Sequence, residues 1–298
     1  MLTITLFGPT TVGTADGRTI TAADLGGVKP RQILEVLAVH AGTPVAKDRL
    51  AELLWDGEPP KTYVGTLESY VCVLRRCLGL TGRRSVLATT SSGYVLDPEQ
   101  VRVDLTIFRS LVRRAAAAVR PEESVALTEK ALVISAPVLL ASDAYASWAE
   151  TERNCVRQEL VTACVRAAEQ ALALGRPEVA VRLARAAVDR DRYAEDAVRA
   201  LMEALWLSGR RCEALNCYAS LRAAMVEELG LEPGAETYRI YMRVLQDGAA
   251  GPTVGTERAE LSTLLGLLRQ TLASIPGVEL PHDDGALAQV AMRVLEVA

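Results

Sequence analysis

Apolar side chains recur along this chain at two different periods, and the changeover divides it. LTITLFG, from Leu2, and GRTITAA, from Gly17, are short, rich in β-branched residues and bordered by glycine, so both predict strands. KPRQILEVLAVHAG then lengthens the period. Ile33, Leu34, Leu37 and Val39 supply one apolar side, Pro30 suits a first helical turn, and Gly42 suits a stop. VAKDRLAELLWDG predicts a second short helix with Leu50, Leu53 and Leu54 inward, and EPP breaks the chain before a third, from about Lys61 to Leu78. After it come SVLATT and GYVLD, two β-like runs around SSG. The predicted order is strands, three helices and a hairpin.

From Asp104 the pattern is helical throughout. Six helical runs succeed one another, from DLTIFRSLVRRAAAAV to RRCEALNCYASLRAAMVEELG, with short turns between them. Gly175 and Gly209 lie 34 residues apart, and so do Ala180 and Ala214. That is the tetratricopeptide period, with a small residue at the turn and alanine where helices cross closely. QDGAAGPTVGTE, from Gln246, is a glycine-rich linker. Beyond it, Leu261, Leu264, Leu265, Leu268, Leu272 and Ile275 form one apolar stripe and Val290, Val294 and Val297 a shorter one. Such a tail is too small for a core of its own, and the open end of the repeat, a partner subunit, or a ligand held between tail and repeat is its expected cover. The fold expected is mainly α: an N-terminal winged helix-turn-helix with small β-sheets over residues 1–100, then an all-α tetratricopeptide-like domain over 101–247. A linker at 248–257 and a helical tail at 258–298 complete it.

On a helix turning about 100° per residue, Val64, Leu67, Val71, Leu74 and Leu78 share one stripe, the core face. The opposite side carries Thr62, Gly65, Thr66, Ser69, Val73 and Arg76. A surface helix meeting only water usually mixes Glu and Lys there. Small hydroxyls, a glycine, a valine and an arginine suit a DNA major groove instead. Hydroxyls allow close approach, valine can touch a thymine methyl, and arginine can donate to guanine or phosphate.

Charge sharpens this. The chain of 298 residues has 33 Lys and Arg against 37 Asp and Glu, a formal charge of −4. Yet Lys61 to Arg84 holds five basic residues and one acidic. Arg75 lies toward the helix flank, where a phosphate is the expected partner, and Arg83 and Arg84 lie in the turn before the hairpin, where a duplex backbone would pass. A solvated basic helix end, favoured by the macrodipole, accounts for the charge alone equally well. Six cysteines fall in apparent helices with no C-x-x-C spacing, and His40 and His282 are far apart, so reduced, buried cysteines and no metal or other cofactor are expected. No secretory start and no run of roughly 20 apolar residues is present, which predicts a cytoplasmic protein without a membrane partner. The phosphate-loop, dinucleotide and nucleophile-elbow motifs are absent, so no enzyme is expected.

The order of elements, with LAELLWDGEPP, YVCVLRRCLG and LATTSSGYVL, resembles the OmpR-type winged helix. WAETERNCVRQEL and LWLSGRRCEALNCYASLRAAMVEELGLEPGAET resemble the bacterial transcriptional activator domain. Together they resemble the Streptomyces antibiotic regulatory protein family over about Leu2 to Gln246. The resemblance implies an activator of secondary-metabolite gene clusters. It implies pairing of subunits on direct repeats in double-stranded promoter DNA, and contact with RNA polymerase and its sigma factor. It also implies DNA contacts by Arg75 and Arg76, a groove face of Thr62, Thr66 and Ser69, and a wing at Thr89, Thr90 and Ser91. The family commonly has arginine at Val73, and glutamine or a similar residue at Glu68. Those departures bear on which DNA is bound. A helical-repeat scaffold without sequence-specific DNA binding is the alternative reading.

Overall fold

Strand β1, Leu2–Thr5, is the hinge of the N-terminal sheet. It pairs antiparallel with β2, Thr11–Gly13, which continues to β3, Thr19–Thr21. In this computed structural model, which describes residues 1–80 and 86–247, two strands of the sheet, β1 and β3, are those expected from sequence. Leu2 and Ile4 point into the core and Thr3 to solvent, the alternation a half-buried strand requires.

Helix α1, Val28–Val39, is buried on nearly every side: each residue from Gln32 to Val39 is covered. Its apolar residues pack inside the fold, and its polar ones, Arg31, Gln32 and Glu35, find partners there. Against it pack α2, Lys47–Leu54, and α3, Tyr63–Cys77. A short strand β4, Val45–Ala46, precedes α2, and the hairpin β5, Leu87–Thr89, with β6, Gly93–Leu96, completes a second sheet in the order β4-β6-β5. Gly93 is required there, because any side chain would collide with the Val45 carbonyl across the β4–β6 pair.

The segment after the hairpin, which reads as a simple join, is strand β7, Val101–Val103. It returns to the first sheet and runs parallel to β1, with Ile4 opposite Val103. Three residues are too few to show a period, and the partner strand lies at the other end of the domain in sequence.

Helices α4, Asp104–Ala117, α5, Pro121–Ile134, α6, Ser147–Ala173, α7, Pro177–Val188, α8, Glu195–Leu207, and α9, Arg211–Leu229, follow as expected. A helix not expected, α10, spans Ala235–Asp247. The 34-residue repeat is real. Gly175 and Gly209 both adopt left-handed φ, of 66° and 74°, after α6 and α8. Arg176 N donates to Ala171 O at 2.9 Å, and 34 residues on Arg210 N donates to Leu205 O at 2.8 Å, closing each helix in the same way. Ala180 and Ala214 are both wholly buried, each at the fourth position of its helix, where consecutive helices pack.

Met1 to Tyr241 is a single compact unit, and its sheet-bearing and helical parts share a polar and an apolar seam. Leu140 N donates to Leu6 O at 2.7 Å and Gly8 N to Val138 O at 2.8 Å. The Asp104 carboxylate accepts the Leu6 and Phe7 amides at 2.9 and 3.0 Å, and Phe7 meets Phe108 edge-on at 5.5 Å. From α1, Gln32 donates to Asp143 at 2.6 Å, and Arg31 donates to Ser142 O at 3.0 Å and Asp143 at 3.1 Å. The Glu35 carboxyl is wholly buried among them and bonded to the Thr10 hydroxyl. Burial first, and then the neighbouring Asp143, push its pKa up to about 9. Burial also pushes Asp143 upward, but hydrogen bonds from Glu35, Gln32 and Arg31 outweigh that and hold it below the usual carboxylate range. The pair therefore keeps one proton, on Glu35.

Candidate nucleic-acid interface

Helix α3 buries Leu67, Val71 and Leu74, with Leu78 just beyond its end, as its apolar stripe requires. Val64, expected in that stripe, is 40% exposed; by helical geometry it lies at the stripe's edge, near the helix start. The exposed residues of the helix are Val64, Gly65, Glu68, Ser69, Cys72 and Arg76, with Lys61 and Thr62 just before it. They follow three- and four-residue spacing, so they form one outward ridge.

Val73 is corrected. It is half-buried, and its Cγ1 methyl lies against Gly26, in the turn that leads into α1. It packs and does not face outward. Thr66 is also half-buried, and its hydroxyl donates to Thr62 O at 3.1 Å. The Ser69 hydroxyl donates to Gly65 O at 3.0 Å and stays on the exposed ridge. Thr62 is exposed at the cap of the helix.

Arg75 bonds to the hairpin. Its Nε and Nη2 donate to Leu87 O at 3.1 and 2.8 Å, and Nη2 also donates to the Thr89 hydroxyl at 2.8 Å. The guanidinium spans from α3 to β5 and ties the hairpin to the helix through Nε and Nη2. Arg76 is exposed and no described residue pairs with it. Arg83 and Arg84 lie outside the described residues, as does the tail at 258–298.

The hairpin is held at a second point. Thr90 N donates to Gly93 O at 2.9 Å and Gly93 N to the Thr90 hydroxyl at 3.1 Å, which closes the turn. Lys47 N donates to Ser92 O at 3.1 Å, so the turn also rests on the start of α2. Ser91 is exposed at its tip. The acidic departure Glu68 is answered by Lys47, whose ammonium lies 2.7 Å from it. Tyr63 donates to Asp48 at 2.6 Å and joins the start of α3 to α2. The ridge therefore stands on a braced frame, with Glu68 neutralised by Lys47 and, at its end, an arginine that no described residue pairs with.

Cysteine burial follows helix position, not residue type. Cys164 alone is buried, which pushes its thiol up to about 11; Cys72, Cys155 and Cys212 are exposed, and Cys77 and Cys217 are half-buried. All six are free thiols, and the expectation of buried cysteines is corrected for three of them. Among the described residues no group of His, Cys, Asp and Glu could hold a metal ion, and no helix is long and apolar enough to cross a membrane.

Comparison with known proteins supplies the context. Residues 26–96 match the domain described as "Transcriptional regulatory protein, C terminal", and residues 103–245 match "Bacterial transcriptional activator domain". Transcriptional regulatory protein EmbR of Mycobacterium tuberculosis is 28% identical over 274 residues, 90% of this chain and 70% of that one. Regulatory protein DnrI of Streptomyces peucetius is 28% identical over 235 residues, 73% of this chain and 84% of its own. Transcriptional regulator RedD of Streptomyces coelicolor is 27% identical over 260 residues, 81% and 70%. The solved structure of Mycobacterium tuberculosis EmbR, in complex with a low-affinity phosphopeptide, superposes with a TM-score of 0.69 at 28% identity, covering 89% of this chain and 71% of that one.

Proposed function

The chain belongs to the Streptomyces antibiotic regulatory protein family of transcriptional regulators, and on that footing we propose that it binds promoter DNA in a sequence-specific way and activates a secondary-metabolite gene cluster. The observation that carries this reading is the outward ridge of α3, held rigidly by Arg75 on one side and Lys47 on the other. A braced helix bearing small polar groups and an arginine without a partner among the described residues suits a major groove. Thr62, Ser69, Cys72 and Arg76 face the bases, and Ser91 at the hairpin tip faces the backbone. Arg83 and Arg84 enter on sequence position alone, as phosphate contacts. Thr66, Thr89 and Thr90 serve the frame.

The domain division is residues 1–100 for DNA binding and 101–247 for the helical activator part, followed by the linker and tail. Two subunits pair on direct repeats and present the helical parts to RNA polymerase and its sigma factor. The reading needs no catalytic residue, and it locates the protein in the cytoplasm with its DNA.

The test is fluorescence anisotropy on a duplex from the promoter beside the coding sequence, against a scrambled duplex. Arg76→Ala should weaken promoter binding by about 1–3 kcal/mol if it reads a base, with less effect on the scrambled duplex and none on melting. Wild-type affinity for both duplexes should fall steeply with salt as counterions are released. An Arg76→Ala protein that binds the promoter as tightly as wild type would reject the groove assignment. Promoter binding indistinguishable from binding to the scrambled duplex would favour the scaffold reading.

A further inference from the structure

A cavity of about 290 Å³ opens beside the seam between the sheet-bearing and helical parts. Its floor is apolar and includes Phe7, Leu139 and Leu160, all buried. Its rim carries Arg153, Arg157 and Arg190, and no described acidic residue lines it. Other cavities also contain arginine, but each of them has an acidic residue in its lining. In one of about 480 Å³, Arg185 lies 3.8 Å from Glu213, and Arg192 is paired with Glu228. In a third, Arg109 is held by Glu152 at 3.1 Å and Glu159 at 3.2 Å.

The three rim arginines have different duties. Arg153 is committed to the protein. It pairs with Glu150 at 3.0 Å and donates to Ala144 O at 3.1 Å and to Leu140 O and Asp143 O at 3.4 Å, with its side chain only 11% exposed. Arg157 is 44% exposed, and its described ion contact is a long 3.9 Å reach to the same Glu150. Arg190, in the turn after α7, donates to Ala186 O at 3.0 Å and has no described carboxylate partner. Two guanidiniums therefore stand over an apolar floor with donors to spare, each able to offer the planar fork that matches a carboxylate.

We propose that this cavity binds a small amphiphilic anion, most simply a medium-chain carboxylate. The apolar body lies on Phe7, Leu139 and Leu160, and the carboxylate faces Arg157 and Arg190. A volume of about 290 Å³ holds on the order of ten water-sized groups, which matches a carboxylic acid of medium length. Phe7 and Leu139 pair with each other as a bridge between the two parts of the unit, so an occupant braces the seam that joins them.

Octanoate is the probe, titrated calorimetrically into the full chain, with octanol lacking the charge and acetate lacking the body. Octanoate should bind at one site, at least about tenfold tighter than either control, and should raise the melting temperature. Arg157→Gln with Arg190→Gln should weaken octanoate by about tenfold or more, since both charge-assisted contacts go. Arg182→Gln, at an arginine outside the cavity that pairs with Glu129, should leave octanoate affinity unchanged. If the double variant does not fold, Arg157→Gln alone, on an exposed helix face, should still weaken binding severalfold. The proposal is overturned if octanoate shows no saturable binding at millimolar concentration, if octanol binds equally well, or if the folded variants bind octanoate like wild type.

Discussion

Cys72 and Val73 are adjacent, yet one is exposed on α3 and the other rests on Gly26. By helical geometry each lies about 50° from the point opposite the Leu67, Val71, Leu74 and Leu78 stripe, on either side of it. Periodicity cannot choose between two such flanks; the turn before α1 covers one of them. Cys72 then supplies a direct test of the groove. Promoter DNA should slow its reaction with a maleimide severalfold or more, while Cys155 and Cys212, exposed on α6 and α9, react as before; mass spectrometry reads all three sites. Equal protection of none of the three would place the duplex elsewhere. Glu35 makes a different prediction. Its carboxyl keeps a proton up to about pH 9 in the folded state, against an ordinary value of 4.5. The folded protein then holds a proton that the unfolded chain releases, so this group's stabilisation is complete below about pH 4.5 and declines as pH rises toward 9. Glu35→Gln removes that decline. It should stabilise the protein at pH 7 by on the order of 1–3 kcal/mol in urea denaturation, with a smaller gain at pH 5. A gain that is the same at both pH values would show that Glu35 is not the titrating group.

At the scale of elements, the hairpin and α3 behave as one piece because Arg75 bonds across them. Lysine in its place separates two explanations of its importance. If Arg75 met a phosphate, Arg75→Lys would preserve the charge and most of the binding. As a brace it needs two donors in a fixed fork, which lysine lacks. Arg75→Lys should therefore lose about 1–2 kcal/mol of stability and weaken promoter binding nearly as far as Arg75→Ala, by anisotropy and urea denaturation on the same samples. Retention of full binding by the lysine variant would restore the phosphate reading. Arg75 was legible in the sequence as important, since it sits in the basic end of the helix. Its partner was not, because Leu87 and Thr89 come near only when the hairpin folds back.

The whole molecule is less divisible than its sequence. The winged part and the helical part each have a clear pattern, and a cut near Gln100 looks harmless on that basis. Yet β7 lies beyond the cut, beside β1, and Asp104 holds the Leu6 and Phe7 amides. Asp143 likewise satisfies Arg31 and Gln32 from outside the winged part. A fragment of residues 1–100 would bare the edge of β1 and leave a buried polar cluster without partners, which is costly in both respects. It should melt well below the full chain or aggregate, by calorimetry and light scattering. A stable fragment of residues 1–100 would mean that the seam contributes little. The sequence by itself determined the helices up to α9, the two hairpin runs, the 34-residue repeat and the apolar stripe of α3, because period and turn residues are local properties of the chain. The tertiary structure alone decided that Val73 is packed, that Arg75 is a brace, that Val101–Val103 is a strand, and that Glu35 shares its burial with Asp143. Each of those depends on residues distant in sequence meeting in space, and no local period encodes which of two flanks, or which buried carboxyl, a distant segment will cover.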